Sequence, residues 1–178
     1  SSIVNAAPGT NPGTMTITDD DTTTVSTNSP SINEGTGGVT TLQFTVSLST
    51  SNDRPVTVNY ATADGTATAL APNADYTATS GQLDFTAGQT SRTIDIAITP
   101  DNIDELNESF LVNLTNAAAG AQSLTATGGT GTITDNDTSS VSINDVTVTS
   151  EGNAGTATTS FNVTLSVPSD RPVAVQYA

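Results

Sequence analysis

The chain lacks several of the residue types that carry most protein chemistry. Its 178 residues include no cysteine, histidine, tryptophan or lysine. Without cysteine there is neither a disulfide framework nor a thiolate metal site. Only 3 basic residues accompany 18 acidic ones, which leaves a formal net charge of −15. Because so acidic a chain repels phosphates and anionic lipids, we expect no nucleic-acid partner.

Catalytic groups and long apolar runs are also scarce. Without histidine, cysteine or lysine, paired acids such as Glu105 and Glu108 are the one enzymatic constellation available. A sugar-cleaving cleft also needs aromatic platforms, and the chain has 3 tyrosines and 4 phenylalanines. We therefore predict that the protein is not an enzyme. No segment approaches the roughly 18 apolar residues of a membrane span, so we expect no membrane insertion of this segment.

The sequence contains an internal repeat. The segment NDRPVTVNYA (52–61) recurs as SDRPVAVQYA (169–178), displaced by 117 residues, and TITDDD (16–21) recurs as TITDND (132–137), displaced by 116. No linker rich in proline, glycine and serine separates the units, which favours stiff, end-to-end packing. The repeat predicts three units: the C-terminal end of a preceding repeat (1–21), a complete repeat (22–138) and the N-terminal part of a following repeat (139–178).

Apolar and polar side chains alternate along the complete repeat, as in half-buried strands. The alternation covers residues 42–48, 56–60, 94–98 and 110–114, and a shorter segment spans 83–85. With a first strand near Val25 and a last one near Ile133, we predict an all-β fold. The expected architecture is an immunoglobulin-like antiparallel β-sandwich of about seven strands, in tandem repeats. The expected core includes Phe44, Val46, Val58, Ile96, Phe110 and Val112.

Acidic residues follow several of these strands. If successive strands run antiparallel, every second connection and the end of the last strand lie at one pole of the sandwich. The acids at this pole are Glu34, Asp64, Asp75, those of residues 101–108, and Asp135 and Asp137 around Asn136. Carboxylates that converge without basic neighbours repel one another unless a cation lies among them. Oxygen ligands on flexible loops favour Ca²⁺ over Mg²⁺. The alternative interpretation is a set of solvated turn acids.

Several segments together resemble the Calx-beta family, the repeat of sodium–calcium exchanger regulatory domains and of many large surface proteins. They are NEGTGG, RPVTVNYATADGTA, ADYTATSGQLDFTAGQTSRTIDIAI, DNIDELNESFLVNL and GTGTITDND. They cover nearly the whole of residues 22–138, and the two partial ends match the corresponding pieces.

The resemblance implies a set of calcium ligands. Family members that bind calcium use an acid in the first loop, the aspartate of a DY pair, acids in the loop between the fifth and sixth of the seven predicted strands, and a terminal acidic cluster. In this chain the set is Glu34, Asp75, Asp101, Glu105, Glu108, Asp135 and Asp137. Asn102 and Asn136 occupy positions where the best calcium binders often carry aspartate, and a neutral carbonyl weakens the field on the ion. Asp19, Asp20 and Asp21 match the terminal cluster of the preceding repeat, and Glu151 matches the first-loop acid of the following one.

These expectations define a function. We expect a Ca²⁺-binding structural repeat that rigidifies an extended extracellular adhesin or matrix or filament protein, secreted by or displayed on a bacterial cell. The alternative is a protein- or carbohydrate-binding adhesion module with a vestigial calcium site. The expected partners are neighbouring repeats or other copies packed end to end, with a possible surface or matrix ligand. We interpret the repeated Asp-Arg-Pro (53–55 and 170–172) as a turn, because proline fixes φ and aspartate can cap it.

Overall fold

The structure is a computed structural model that describes Met15, residues 21–150 and residues 152–177. Over these residues the chain forms strands and no α-helix, so no helix there is long and apolar enough to cross a membrane. The strands are, in chain order, β1 (Thr24–Thr27), β2 (Ser31–Asn33), β3 (Thr40–Leu48), β4 (Val56–Asp64), β5 (Ser80–Phe85), β6 (Ser91–Ile98), β7 (Glu108–Ala119), β8 (Gln122–Ser123), β9 (Thr125–Thr127), β10 (Gly129–Thr134), β11 (Val141–Ile143) and β12 (Val163–Leu165).

Ten strands build a two-sheet sandwich, which confirms the predicted all-β, immunoglobulin-like class. One sheet has the order β6-β3-β1-β9, and the other has the order β2-β10-β7-β4-β5, with β8 paired to β7. Between them lies one core, to which both sheets contribute. The six core residues named from the alternation are all buried there: Phe44, Val46, Val58, Ile96, Phe110 and Val112.

The first and last predicted strands are each divided between the two sheets. The first becomes β1 and β2, and the last becomes β9 and β10, so that β1 pairs parallel with β9 and β2 pairs parallel with β10. Pro30 lies at the first switch, where a residue without an N–H costs no ladder hydrogen bond. At the second switch a Cβ on Gly129 would overlap the carbonyl oxygen of Asn28. The glycines before the last strand therefore permit this close approach of two backbones.

Residues 139–177 form a separate two-stranded sheet, β11 with β12. Val141 lies opposite Leu165 in this sheet, as Val25 lies opposite Leu48 between β1 and β3. The segment thus uses the same strand pairing as the start of the sandwich.

Candidate metal centre

The sandwich brings five chain segments together at one pole. Asn33, at the end of β2, pairs with Thr134 at the end of β10, and Ile133 pairs with Glu108 at the start of β7. The end of β6 joins them through the bridge between Ile98 and Tyr76. These pairings therefore place the loops that carry the predicted acids side by side.

Glu34 is the most deeply buried of the predicted ligands, with 5% of its surface exposed. Its N–H donates to the carbonyl oxygen of Thr134 at 3.2 Å, which continues the β2–β10 pairing by one residue. Gly35 follows with a φ of 83°, a conformation that glycine adopts without strain, so the chain turns directly after the glutamate. Glu34 Oε1 is buried and has no hydrogen-bond partner among the described residues.

Asp75 is positioned by its neighbour Tyr76. The Tyr76 ring is buried and stacks on Phe110 with ring centroids 4.3 Å apart, and its hydroxyl donates to Asp64 Oδ1 at 2.7 Å. Burial, followed by the hydrogen bond to Asp64, raises the pKa of Tyr76 to about 12, so the phenol stays protonated. Asp75 Oδ2 accepts the N–H of Thr68 at 2.6 Å. Asp64 therefore lies near the pole as predicted and anchors Tyr76.

Asp135 ties the end of β10 to the β6–β7 loop. Its Oδ2 accepts the N–H of Glu105 at 3.1 Å, and its Oδ1 accepts the N–H of Asp137 at 2.9 Å. Asp101 Oδ1 accepts the N–H of Ile103 at 2.7 Å, which holds the start of the same loop. Asp137 Oδ2 is buried without a partner among the described residues.

The seven acids named from the resemblance come together as one acidic cluster. Within it three groups each offer carboxylate oxygens that lie within 4.8 Å of one another. These groups are Glu34–Asp101–Glu105, Glu34–Asp135–Asp137 and Asp75–Glu105–Glu108. Because Glu34 and Glu105 each belong to two groups, the three groups form one continuous cluster.

Burial and mutual repulsion perturb the glutamates of the acidic cluster. Burial in the first place, then the charges of Asp101 and other cluster aspartates, raises the pKa of Glu34 to about 7. Burial and the charges of Asp101 and Asp75 likewise raise the pKa of Glu105 to about 7. The pKa of Glu108 rises to about 7 through burial and its contact with Asp75. A cation among these groups would reverse the repulsion.

The remaining predicted residues differ in placement. Asn136 Oδ1 accepts the Gly35 N–H at 2.8 Å, so this carbonyl links the end of β10 to the loop after Glu34. Asn102 is exposed. Asp21 lies away from the acidic cluster, in a polar groove shared with Thr23 and Arg54. The other partial-repeat acids, Asp19, Asp20 and Glu151, lie outside the described residues.

Two further acids lie near the acidic cluster: Asp104, which belongs to the acids of residues 101–108 predicted for this pole but not to the predicted ligands, and Asp170, which was not predicted there. Asp104, in the β6–β7 loop, is 4% exposed and pairs with Arg171 of the following repeat. Asp170 is close enough for its charge to raise the pKa of both Glu105 and Glu108. The sequence held a signal for Asp170: Asp-Arg-Pro occurs at both 53–55 and 170–172, and the expected end-to-end packing would bring the second copy of this turn to the acids of the complete repeat.

The comparisons with known proteins agree with this fold. The Calx-beta domain model matches residues 17–147, whereas no curated protein matches the chain. The crystal structure of the apo form of the Calx CBD1 domain is 21% identical to this chain, with a TM-score of 0.52. The match covers 64% of this chain and 99% of that domain, and at this identity it is evidence for the fold only. The calcium binding domain CBD12 of CALX1.1 is 26% identical with a TM-score of 0.52, over 61% of this chain and 43% of its own. The chain thus spans less than half of that protein. Since the family model matches well over half of its residues, the chain belongs to the Calx-beta family.

Proposed function

We propose that the acidic cluster binds Ca²⁺. The observation that carries this proposal is the side chain of Glu34, buried among acids with an oxygen that no described donor satisfies. A buried carboxylate needs a hydrogen bond or a counter-charge, and the chain supplies no lysine or histidine. Asp137 Oδ2 has the same need in the same cluster. A hard cation with oxygen ligands meets both needs at once.

The geometry supports more than one ion. Glu34–Asp135–Asp137 and Asp75–Glu105–Glu108 share no residue, so each group offers its own set of three carboxylates. Ca²⁺ takes six to eight oxygen ligands, and bidentate carboxylates, loop carbonyls and water would complete each set. The proposed protein ligands are the seven acids of the cluster, with the Asn102 carbonyl as a further candidate. Asn136 contributes indirectly, because its carbonyl holds Gly35.

The consequence of binding is mechanical. The acids come from the loop after β2, the β4–β5 connection, the β6–β7 loop with the start of β7, and the end of β10. Each group of three joins two of these segments, so ions bound to the groups would together cross-link all four. We propose a non-catalytic structural repeat that stiffens an extended extracellular or cell-surface protein, with adhesion or matrix building as its role. The relative CBD12 of CALX1.1 is called a calcium binding domain, which supports the choice of ion.

The ligand-binding alternative has less support. A cluster of exposed apolar side chains does exist in residues 139–177, and it includes Phe161, Val163 and Val175. These positions correspond through the repeat to Phe44, Val46 and Val58, which are core residues of the complete repeat. Their exposure therefore reflects a core position without its covering sheet, and it does not favour a ligand surface.

Calorimetric titration with Ca²⁺, together with melting in excess Ca²⁺ and in chelator, tests the proposal. At 100 times the Kd, binding to the folded state alone adds about 2.7 kcal/mol, or about 10 °C in melting temperature. The double substitution Asp135→Asn and Asp137→Asn removes two ligands and should abolish most of this gain. In chelator the same variant should melt no lower than the wild type, because it relieves repulsion.

The matched control is the double substitution Asp84→Asn and Asp95→Asn, which makes the same charge change on the sheet surfaces away from the cluster. It should retain the full Ca²⁺ gain. If the wild type has the same melting temperature in Ca²⁺ and in chelator, and calorimetry detects no heat of binding, the acids are only solvated turn residues.

A further inference from the structure

The following repeat contacts the complete repeat through Asp104. One carboxylate oxygen, Oδ1, accepts from the guanidinium of Arg171, and the other, Oδ2, accepts from the N–H and hydroxyl of Ser139 at 3.0 and 2.6 Å. The backbone takes part as well: the Asp104 N–H donates to the Pro168 carbonyl at 3.0 Å, and the Asp104 carbonyl accepts the Asp170 N–H at 3.3 Å. A buried acid of one repeat is thus satisfied largely by groups of the next.

Each of these contacting groups has an equivalent in the complete repeat. Residues 168–171 correspond to residues 51–54 with a displacement of 117, and Ser139 corresponds to Thr23 with a displacement of 116. The turns are built alike: the Arg171 N–H donates to Ser169 Oγ at 3.1 Å, and the Arg54 N–H donates to Asn52 Oδ1 at 2.9 Å. The complete repeat therefore presents the same arrangement at the pole opposite its acidic cluster.

The difference between the two turns is the partner. Arg171 pairs with Asp104, whereas Arg54 is exposed and forms no ion pair with any residue that the structure describes. Arg54 lines a polar groove together with Asp21, Thr23, Asn52 and Asp53, and within it the Thr23 hydroxyl is hydrogen-bonded to the Thr50 hydroxyl at 3.0 Å. The exposed Arg54 guanidinium is complementary to a carboxylate on a loop.

We propose that Thr23, Asn52, Asp53 and Arg54 form a docking surface for the β6–β7 loop of a preceding Calx-beta repeat. Its partner is the aspartate at the position of Asp104 in the preceding repeat. Arg54 forms an ion pair with this aspartate, and the Thr23 hydroxyl and N–H donate to its second carboxylate oxygen. The joint fixes each repeat head to tail on the next through a charge pair that is independent of the bound cation. It would explain how repeats without a flexible linker hold one orientation along an array.

The first experiment uses the present chain and amide hydrogen exchange. Arg171→Ala should speed exchange at the N–H groups of Asp104 and Ser139 by about tenfold or more, because local opening sets their exchange rates. Arg54→Ala, the same change at the equivalent position, should leave them unchanged. Equal effects of the two substitutions, or none from Arg171→Ala, would overturn the joint.

The second experiment tests the Arg54 surface directly. A copy of residues 22–137 replaces residues 1–21 of the chain, which preserves an Asp–Thr junction and uses a unit whose own core is closed. Arg54→Ala in the second copy should speed exchange at Asp104 of the first copy. Arg54→Lys should do so less, because lysine lacks the planar fork but keeps the positive charge. Arg54→Ala in the first copy is the matched control.

The outcomes are separable from those of the cation. Both experiments are run in Ca²⁺ and in chelator, and the contrast between the first-copy and second-copy substitutions should appear in both. If Arg54→Ala has the same effect on exchange at Asp104 of the first copy whichever copy carries it, the proposed docking surface is wrong even where Ca²⁺ binds. If the contrast appears without any Ca²⁺ binding, the joint stands and the proposed cation site fails.

Discussion

Phe44 and Phe161 occupy the same position in two successive repeats, yet Phe44 is 0% exposed and Phe161 is 57% exposed. The two residues lie in segments with the same apolar–polar alternation. Around Phe44, β7 and β10 of the opposite sheet close the core, and the Phe110 ring lies 5.9 Å away. Among the described residues, no second sheet covers Phe161 in this way.

The comparison separates two contributions to a β-sandwich. Alternation decides which face of a strand is apolar, and strand pairing follows it in both regions, with Val25 opposite Leu48 and Val141 opposite Leu165. Burial, however, requires a second sheet. An apolar face without one gains little of the free energy that removing apolar surface from water provides.

The largest expected effect comes from truncating the two phenylalanines. Phe44→Ala should lower the free energy of unfolding by about 3–5 kcal/mol, because it removes buried surface and leaves a cavity. Phe161→Ala should lower it by less than about 1 kcal/mol, since an exposed ring has little burial to lose. Denaturant unfolding of both variants measures the difference. Similar losses would mean that the face carrying Phe161 is covered in solution.

An intermediate effect is expected from pH, and it should be confined to the repeat that carries the acidic cluster. Glu34, Glu105 and Glu108 have pKa values of about 7 in the folded state, against an ordinary value of 4.5, so folding binds protons. In chelator the free energy of unfolding should therefore fall as the pH rises from about 4.5 through 7. After allowance for solvent screening we expect about 1–3 kcal/mol in total.

Thermal melting in chelator between about pH 4.5 and 8 measures this trend. Glu34→Gln together with Glu105→Gln should flatten it, because two of the three titrating groups are gone. The Ca²⁺ affinity of the wild type should change in the opposite direction and rise with pH, since protons compete with the cation for the same carboxylates. A wild-type stability that rises over this range in chelator would contradict the repulsion.

The smallest effect distinguishes two equivalent aspartates. Asp170 of the following repeat acts on Glu105 and Glu108, whereas Asp53, its equivalent, lies at the opposite pole of the complete repeat. Asp170→Asn should weaken Ca²⁺ binding by about twofold to fivefold, which corresponds to about 0.5–1 kcal/mol for a nearby but non-ligating charge. Asp53→Asn should leave the affinity unchanged. Calorimetry on both variants measures the difference, and equal affinities would place Asp170 outside the field of the site.

Much of the sandwich could be predicted from the sequence because its strands are half-buried. Leu42, Phe44 and Val46 face inward at every second position, and Thr41 and Thr45 lie between the apolar positions. The switch of the first and last strands between sheets was missed. It depends on Pro30 and on glycines that let two backbones approach, and neither feature changes the period of the alternation.

The amino-acid order alone shows which strand ends the acids follow and, through strand parity, that these acids share a pole. The burial of Glu34 with an unpartnered oxygen, and the bond from Tyr76 to Asp64, appear only in the folded chain. The same holds for Asp104, which pairs with Arg171 of the following repeat. The reason is that the burial and pairing of a carboxylate depend on atoms distant in the sequence, as Arg171 lies 67 residues after Asp104. A local pattern contains no information about such distant contacts.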